Sequence, residues 1–156
     1  MTSNIFLKRA QNELLLSQII FDISSTPHLK ENIFSLSSHT TFYSAVITHT
    51  YYTIFYSAKA YLASKNITTK APFEHKKTFQ ELSNLANKGV IDFELFTLYK
   101  KVLIKANELL DLFILEKGKR GNYTYKTLPQ ANKDPAKESI SNAHNFFKHI
   151  NALLLA

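Results

Sequence analysis

The sequence predicts an all-α fold, an up-and-down bundle of about five helices with a buried central helix, in a single domain spanning 1–156. Three observations predict it. Apolar residues recur at intervals of three and four in five segments, which is the helical period. Three glycines and four prolines are too few for the many tight turns of an all-β chain. The stretch from Ala45 to Asn66 contains neither residue and is apolar around most of its circumference.

The first predicted helix covers roughly Ser3–Ile23. Its apolar positions include Ile5, Ala10, Leu14, Leu15 and Ile19. The sequence SSTP at 24–27 ends the helix, because proline cannot continue the hydrogen-bonding pattern. A polar connector, His28–His39, follows. We expect its apolar residues to pack against the core: Ile33, Phe34 and Leu36.

The central helix, Ala45–Asn66, is long enough for six turns. A helix that is apolar nearly all round is one that other helices surround. It is too polar to span a bilayer, because His49, Lys59 and three threonines interrupt it. We therefore expect no membrane association.

Two further helices are predicted before the basic region, and one after it. Phe73–Asn87 resumes the helical spacing, with Gly89 just beyond its end. Asp92 is a plausible N-cap for a fourth helix, which Gly118 and Gly121 interrupt. Thr127–Pro135 reads as a loop, and a last helix covers about Lys137–Leu155.

Composition limits the cellular setting and the partners. The chain has no cysteine and no signal peptide at its start, which predicts a cytoplasmic protein. Its net charge is +7, and residues 100–156 carry ten Lys/Arg against five Asp/Glu. A basic region of this kind suits a polyanion such as RNA, or is simply a solvated lysine-rich surface.

No familiar catalytic or metal motif is present. The chain lacks a glycine-rich phosphate loop and a zinc-binding His-Glu-x-x-His pair. His144 and His149 lie about 140° apart around a helix, so they cannot hold one metal from one face. We predict neither a metal nor a cofactor. His49 in the central helix and His75 in the first turn of the third are more often a core and a surface histidine, respectively.

One segment, Lys117–Tyr125, has a composition that helix packing does not explain. It contains three cations, two glycines and two tyrosines. A cationic loop with exposed rings can hold phosphate and stack bases. Equally, its tyrosines can close the end of the bundle.

The central helix resembles that of the HEPN family, the higher eukaryote and prokaryote nucleotide-binding domains. In the small stand-alone prokaryotic branch this helix typically reads SRxYYAxFxAAxALL, and residues 48–62 here read THTYYTIFYSAKAYL. Lys70–Phe79, with His75, is similar to the family's KxHxxxxxF opening of the third helix. Gly121-Asn122-Tyr123 resembles the Asp-Tyr after the fourth helix, and Ala143 and Phe146 fit the closing helix.

This resemblance implies a helical bundle that is commonly a dimer and often a metal-independent RNase. Many members belong to toxin–antitoxin or antiviral systems, and many small ones pair with a minimal nucleotidyltransferase. In nuclease members four to six residues separate an Arg from a following His, so that His moves the proton of the ribose 2′-hydroxyl and Arg stabilises the phosphate. After Arg120 this chain has Tyr125, Lys126 and Thr127 instead of that His. Asn122 replaces the family's Asp, and His49 replaces the Arg of the second helix.

We therefore expect an RNA- or nucleotide-binding, dimerising module whose nuclease motif is incomplete. The alternative is an active endoribonuclease toxin that uses Arg120 on the phosphate. Tyr123 or Tyr125 would position the strand, and His49 or His75 would supply an imidazole. In either case the ligand is expected at a dimer cleft. The residues expected to border it are Lys119, Arg120, Asn122, Tyr123 and Tyr125, with His49 or His75 nearby.

Overall fold

The computed structural model describes the backbone of residues 2–118 and 133–156, and the side chains of residues 2–106 and 133–156. Within these ranges the protein is all helical and contains no strand, so the predicted all-α bundle is confirmed. The described elements are α1 (Thr2–Ser25), a π-helical turn (Leu29–Ile33), α2 (Tyr43–Ser64), α3 (Glu74–Asn87), α4 (Phe93–Gly118) and α5 (Lys133–Leu155). None of the described helices is long and apolar enough to cross a membrane.

The long helices run up and down. The Ser3 hydroxyl near the start of α1 donates to the carbonyl of Ala60 near the end of α2, at 2.8 Å. At the opposite end of the pair, the hydroxyls of Ser25 and Tyr43 lie 3.3 Å apart. These two contacts make α1 and α2 antiparallel.

The helix α2 is the buried centre of the bundle, as the sequence predicts. Twelve of its 22 residues are buried. The hydroxyls of Thr50, Thr53 and Ser57 donate to carbonyls three or four residues earlier in the same helix. Because those bonds satisfy the hydroxyls locally, polar residues can lie inside the core at little cost.

Most of the core lies where α2, α3, α4 and α5 meet. Its largest fully buried members include Ile54, Leu82, Tyr99, Phe146 and Ile150. A smaller cluster joins the start of α2 to α5 through Tyr43, Val46, Ile47 and Ala136. Both clusters are apolar, so their burial supplies the main stabilisation of the fold.

Two helix-end predictions are confirmed. The Asp92 carboxylate accepts a hydrogen bond from the backbone N–H of Glu94 at 2.9 Å, which caps the start of α4. Gly89 adopts φ +68° just beyond the end of α3. Glycine adopts this left-handed conformation without a Cβ clash, which explains why a glycine occupies this position.

Other boundaries differ from the prediction. The last helix begins at Lys133, not near Lys137, so the end of the predicted loop Thr127–Pro135 is helical. Pro135 lies in the first turn of α5, where its missing N–H costs no helical hydrogen bond. The helix α2 begins at Tyr43 and ends at Ser64, two residues earlier at each end than predicted.

The prediction for the connector after α1 is wrong at Ile33 and Phe34, whereas Leu36 is half-buried. Ile33 and Phe34 are exposed and do not pack against the core. Lys30 is buried instead, and its ammonium donates to the carbonyl oxygens of Ser24 and Ser38. The charge thus caps the carboxyl end of α1, where the helix dipole favours a cation.

Candidate nucleic-acid interface

Of the seven predicted site residues, the structure describes two, His49 and His75. The other five lie outside the described residues: Lys119, Arg120, Asn122, Tyr123 and Tyr125. The site is therefore built here from the two histidines and the residues around them.

His49 pairs with an acidic residue of α1. Its Nδ1 lies 2.7 Å from Oε2 of Glu13, and both side chains are only about a quarter exposed, 28% and 27%. The two residues are 36 positions apart in the chain, and the antiparallel packing of α1 on α2 brings them together. A carboxylate at Nδ1 fixes the orientation of an imidazole and leaves Nε2 as the nitrogen that can meet a ligand.

His75 lies at the start of α3 and is held over α2. Its Nδ1 lies 2.6 Å from the hydroxyl of Tyr51, and its ring stacks on Phe55 with centroids 4.0 Å apart. Although the residue is exposed, one face of the ring is covered. This partial burial, together with the nearby charge of Lys59, lowers the pKa of His75 below 6.5.

The Tyr51 hydroxyl and the neutral His75 imidazole share a hydrogen bond whose donor is set by the tautomer of His75. Burial, and secondarily Tyr52, raises the pKa of Tyr51 to about 12. The phenol therefore keeps its proton at any physiological pH. Since the lowered pKa of His75 keeps its imidazole neutral near pH 7, Nδ1 can accept that proton in a hydrogen bond.

The two histidines do not form one site with each other. His49 is directed to α1 through Glu13, and His75 is directed to α2 through Tyr51. His75 belongs to a continuous group of rings, which we call the aromatic surface. Its members are Phe6, Tyr51, Tyr52, Phe55, Tyr56 and His75.

The rings of the aromatic surface are in mutual contact. Phe55 and Tyr56 have centroids 5.2 Å apart, and Tyr56 and Tyr52 are 6.1 Å apart. Phe6 of α1 stacks on Tyr56 at 6.4 Å, with an interplanar angle of 14°. Phe55 is buried beneath the group, whereas the three tyrosines and Phe6 are partly exposed. Partly exposed tyrosines present both a ring face and a hydroxyl to a ligand.

Two cations lie against these rings. The guanidinium carbon of Arg9 is 5.7 Å from the centroid of Tyr56, and the Lys59 ammonium is 4.5 Å from that of Phe6. Lys59 is mostly buried and pairs with Glu74. Burial, and secondarily the charge of Arg9, lowers the pKa of Lys59. Arg9 is exposed, so it is the cation better placed to meet a ligand.

The chain just before α3 adds an exposed ring. Phe73 is 74% exposed and adopts φ +63°. This left-handed conformation costs a large non-glycine residue on the order of 1 kcal/mol. Because the ring is exposed, its burial does not offset that cost. Exposed lysines flank it on both sides, at Lys70 and at Lys76 and Lys77. Neither the backbone conformation nor the exposure of Phe73 could be read from the sequence, because both depend on the tertiary structure.

The described residues offer no set of three or more His, Asp or Glu side chains that could hold a metal ion. Two grooves lie elsewhere. One separates α4 from α5 and is lined by Ile91, Leu95, Leu98, His149 and Leu153. The other separates α1 from α5 and is lined by Leu14, Leu15, Phe21, Ile140 and Phe147, among others. Neither groove contains a residue of the aromatic surface.

Glu13, Arg9 and Phe6 are the members of this region that sequence reasoning missed. All three lie on α1, and their relation to α2 depends on how the two helices pack. Their spacing gave one usable signal: Phe6, Arg9 and Glu13 follow one another at three and four residues, and so share a helix face.

Four of the residues on which the family resemblance rests, three from α2 and one from α3, come together in space. Tyr51, Tyr52 and Phe55 from the second helix meet His75 from the third. No protein-family model matches the chain, and neither a curated protein nor a solved structure does. The HEPN resemblance therefore stays a prediction carried by these motifs.

Proposed function

We propose that this chain is a HEPN-like module that binds single-stranded RNA or nucleotides, forms a dimer, and acts within a toxin–antitoxin or defence system. The aromatic surface is the observation that carries the proposal. It combines partly exposed tyrosine rings with an exposed arginine, on a protein of net charge +7.

Rings and cations recognise the two parts of a nucleotide separately. Every base has a π face that can stack on an aromatic side chain, and each stacked base contributes about 1–3 kcal/mol. A guanidinium fork can hold a phosphate with two parallel hydrogen bonds. Tyr52 and Tyr56 supply the rings here, and Arg9 is the cation beside them.

The direct test is fluorescence anisotropy with a labelled single-stranded RNA of about ten nucleotides. Tyr52→Ala is expected to weaken binding about 10-fold, because one stacking platform is lost. Arg9→Ala is expected to lower the slope of log affinity against log salt by about one, because one phosphate contact is lost. ATP and adenosine, used as competitors, would separate nucleotide binding from binding of a longer strand.

Lys148→Ala is the matched control, since Lys148 is an exposed cation on α5, a helix that contributes no ring to the aromatic surface. It should change affinity only slightly. Thermal unfolding of each variant checks that the bundle is intact. If wild-type protein does not bind RNA or ATP even at low salt, the proposed ligand class is wrong. If Lys148→Ala weakens binding as much as Arg9→Ala, binding is a property of total charge and not of this surface.

The Glu13–His49 pair favours a second candidate function, metal-independent cleavage of RNA. An imidazole oriented by a carboxylate is suited to take the proton of a ribose 2′-hydroxyl. Attack of that oxygen on the adjacent phosphorus would release the 5′-oxygen and leave a 2′,3′-cyclic phosphate. Arg120, which the sequence assigns to phosphate, and Tyr125 lie outside the described residues, so this candidate rests on His49 and Glu13.

Cleavage is tested by incubating the protein with RNA in EDTA and analysing the products. His49→Gln should abolish cleavage and leave RNA affinity unchanged, whereas Arg120→Ala tests the sequence-based assignment. Binding without any cleavage by the wild type would leave the binding module as the function. Co-purification with a minimal nucleotidyltransferase expressed in the same cell tests the proposed protein partner.

A further inference from the structure

The helix α1 carries an apolar row that the bundle does not cover. Ile5, Leu15 and Ile19 were predicted as part of the apolar pattern of α1, yet they are 53%, 56% and 55% exposed. Leu16 is exposed as well. The buried side of α1 consists mainly of small or half-buried residues, among them Ala10 and Ser17. Several large apolar side chains on one helix, all facing solvent, mark an interaction surface.

The two isoleucines of this row are placed symmetrically about Asn12. Ile5 lies seven residues before Asn12 and Ile19 seven after it, while Lys8 and Leu16 lie four before and four after. Intervals of four and seven return to nearly the same side of an α-helix, so all five positions share one face. Reversing the helix about Asn12 therefore places each isoleucine where the other one was.

The charges of α1 have the matching polarity. Its first half, 2–12, carries Lys8 and Arg9 and no acidic residue, and its second half, 13–25, carries Glu13 and Asp22 and no cation. Two such helices aligned antiparallel bring the positive half of each beside the negative half of the other; within this arrangement Glu13 also pairs with His49 of its own copy, and Lys8 lies opposite Leu16. The dipoles of the two helices are also antiparallel in this arrangement, so the positive end of each lies near the negative end of the other.

We propose that a second copy of this chain packs on the exposed row, with the two α1 helices antiparallel about a two-fold axis beside Asn12. Ile5 of each copy then packs against Ile19 of the other, and the two Asn12 amides meet at the axis. A polar pair at that place fixes the register of the seam. Leu15 also lines the groove between α1 and α5, so the apolar contact extends from the row into the groove.

This inference rests on the dimerising part of the proposed function and not on its RNA-binding part. Arg9 directly follows Lys8 on α1, so the two aromatic surfaces would border the dimer interface. A strand longer than one aromatic surface could then contact both.

The first test is the mass in solution, measured by light scattering over a range of concentrations. Ile5→Lys and Ile19→Glu, made separately, should each raise the dimer dissociation constant about 10-fold or more, because each dimer loses two buried isoleucines. The double variant should recover dimerisation, since Lys at 5 then faces Glu at 19 of the other copy. Ile104→Glu is the matched control, an isoleucine on α4 that is 47% exposed.

The second test exploits the absence of cysteine from the chain. An Asn12→Cys variant should form a covalent dimer with a mild oxidant, because the two-fold axis brings the two Cα atoms near the 4.4–6.8 Å that a disulfide spans. Asn84→Cys, at an exposed asparagine on α3, should remain monomeric under the same conditions.

The possible results separate the two proposals. A wild-type protein that is monomeric at every concentration would refute both this interface and the dimerising part of the proposed function. A dimer that both isoleucine variants leave intact, or a double variant that stays dissociated, would refute the antiparallel α1 interface alone. RNA affinity, measured separately, decides the binding function in either case.

Discussion

Tyr99→Phe is expected to make the protein more stable. Tyr99 is fully buried in the core, where its ring packs on Phe79 at 5.8 Å and edge-on to Phe146 at 5.7 Å. Its hydroxyl has no hydrogen-bond partner among the described residues. Burial, and secondarily Tyr51, raises the pKa of Tyr99 well above 10, so the phenol stays neutral.

The magnitude follows from the desolvation of one hydroxyl. A buried polar group without a partner costs about 1–3 kcal/mol relative to the unfolded chain, in which water satisfies it. Removing only the oxygen preserves every ring contact and leaves a void of a single atom, which offsets part of the gain. We expect the free energy of unfolding to rise by about 1 kcal/mol, which is roughly 2–4 °C in Tm for a chain of this size.

Urea unfolding followed by far-UV circular dichroism measures this change, since the chain has no tryptophan. Tyr43→Phe is the matched control: Tyr43 is also buried, but its hydroxyl lies 3.3 Å from that of Ser25. That variant should lose about 1 kcal/mol. If Tyr99→Phe is instead destabilised as much as Tyr43→Phe, the Tyr99 hydroxyl has a bonding partner and the reasoning is refuted.

Two further predictions concern charged groups. Lys30→Met should destabilise the protein by about 2 kcal/mol, because the hydrogen bonds of the buried ammonium to the carbonyl oxygens of Ser24 and Ser38 are lost. The control is Lys8→Met, at an exposed lysine on α1. In the same urea titration its free energy of unfolding should stay within about 0.5 kcal/mol of the wild type. Because the pKa of His75 is lower in the folded chain, the unfolded chain protonates this residue at a higher pH than the folded chain does. The contribution of His75 to the free energy of unfolding is therefore complete above pH 6.5 and is lost as the pH falls through the folded-state pKa. The Tm of the wild type should therefore fall more between pH 7.5 and pH 5 than that of His75→Gln, and equal decreases would contradict the assignment.

The elements of the fold could be read from the sequence because each depends on local pattern. The run without glycine or proline between Ala45 and Asn66 predicted α2, and its apolar residues predicted its central place. Asp92 and Gly89 marked helix ends, since capping depends on a few neighbouring residues. Where the prediction was wrong, at Pro135 and at Ile33, the local signals were ambiguous: proline is tolerated in a first turn as well as in a loop.

The candidate site was only partly predictable. His49 and His75 stood out because titratable residues are rare in an apolar pattern, but their partners did not. Glu13 reaches His49 across 36 residues, and Tyr51 reaches His75 across 24. Such pairs are fixed by the rotation and register of one helix against another, which the periodicity within each helix leaves open.

The sequence by itself therefore determined that this chain forms helices, which of them is central, and where most of them begin and end. Only the tertiary structure decided which apolar residues are covered. Ile5, Leu15 and Ile19 have the same periodic spacing as core residues, yet they face solvent. The physical reason is the rotation of α1 on the bundle: it buries Ala10, Ser17 and Ser24 fully and packs Leu14, Ile20 and Phe21 against the core, so the opposite face of the helix is left in solvent.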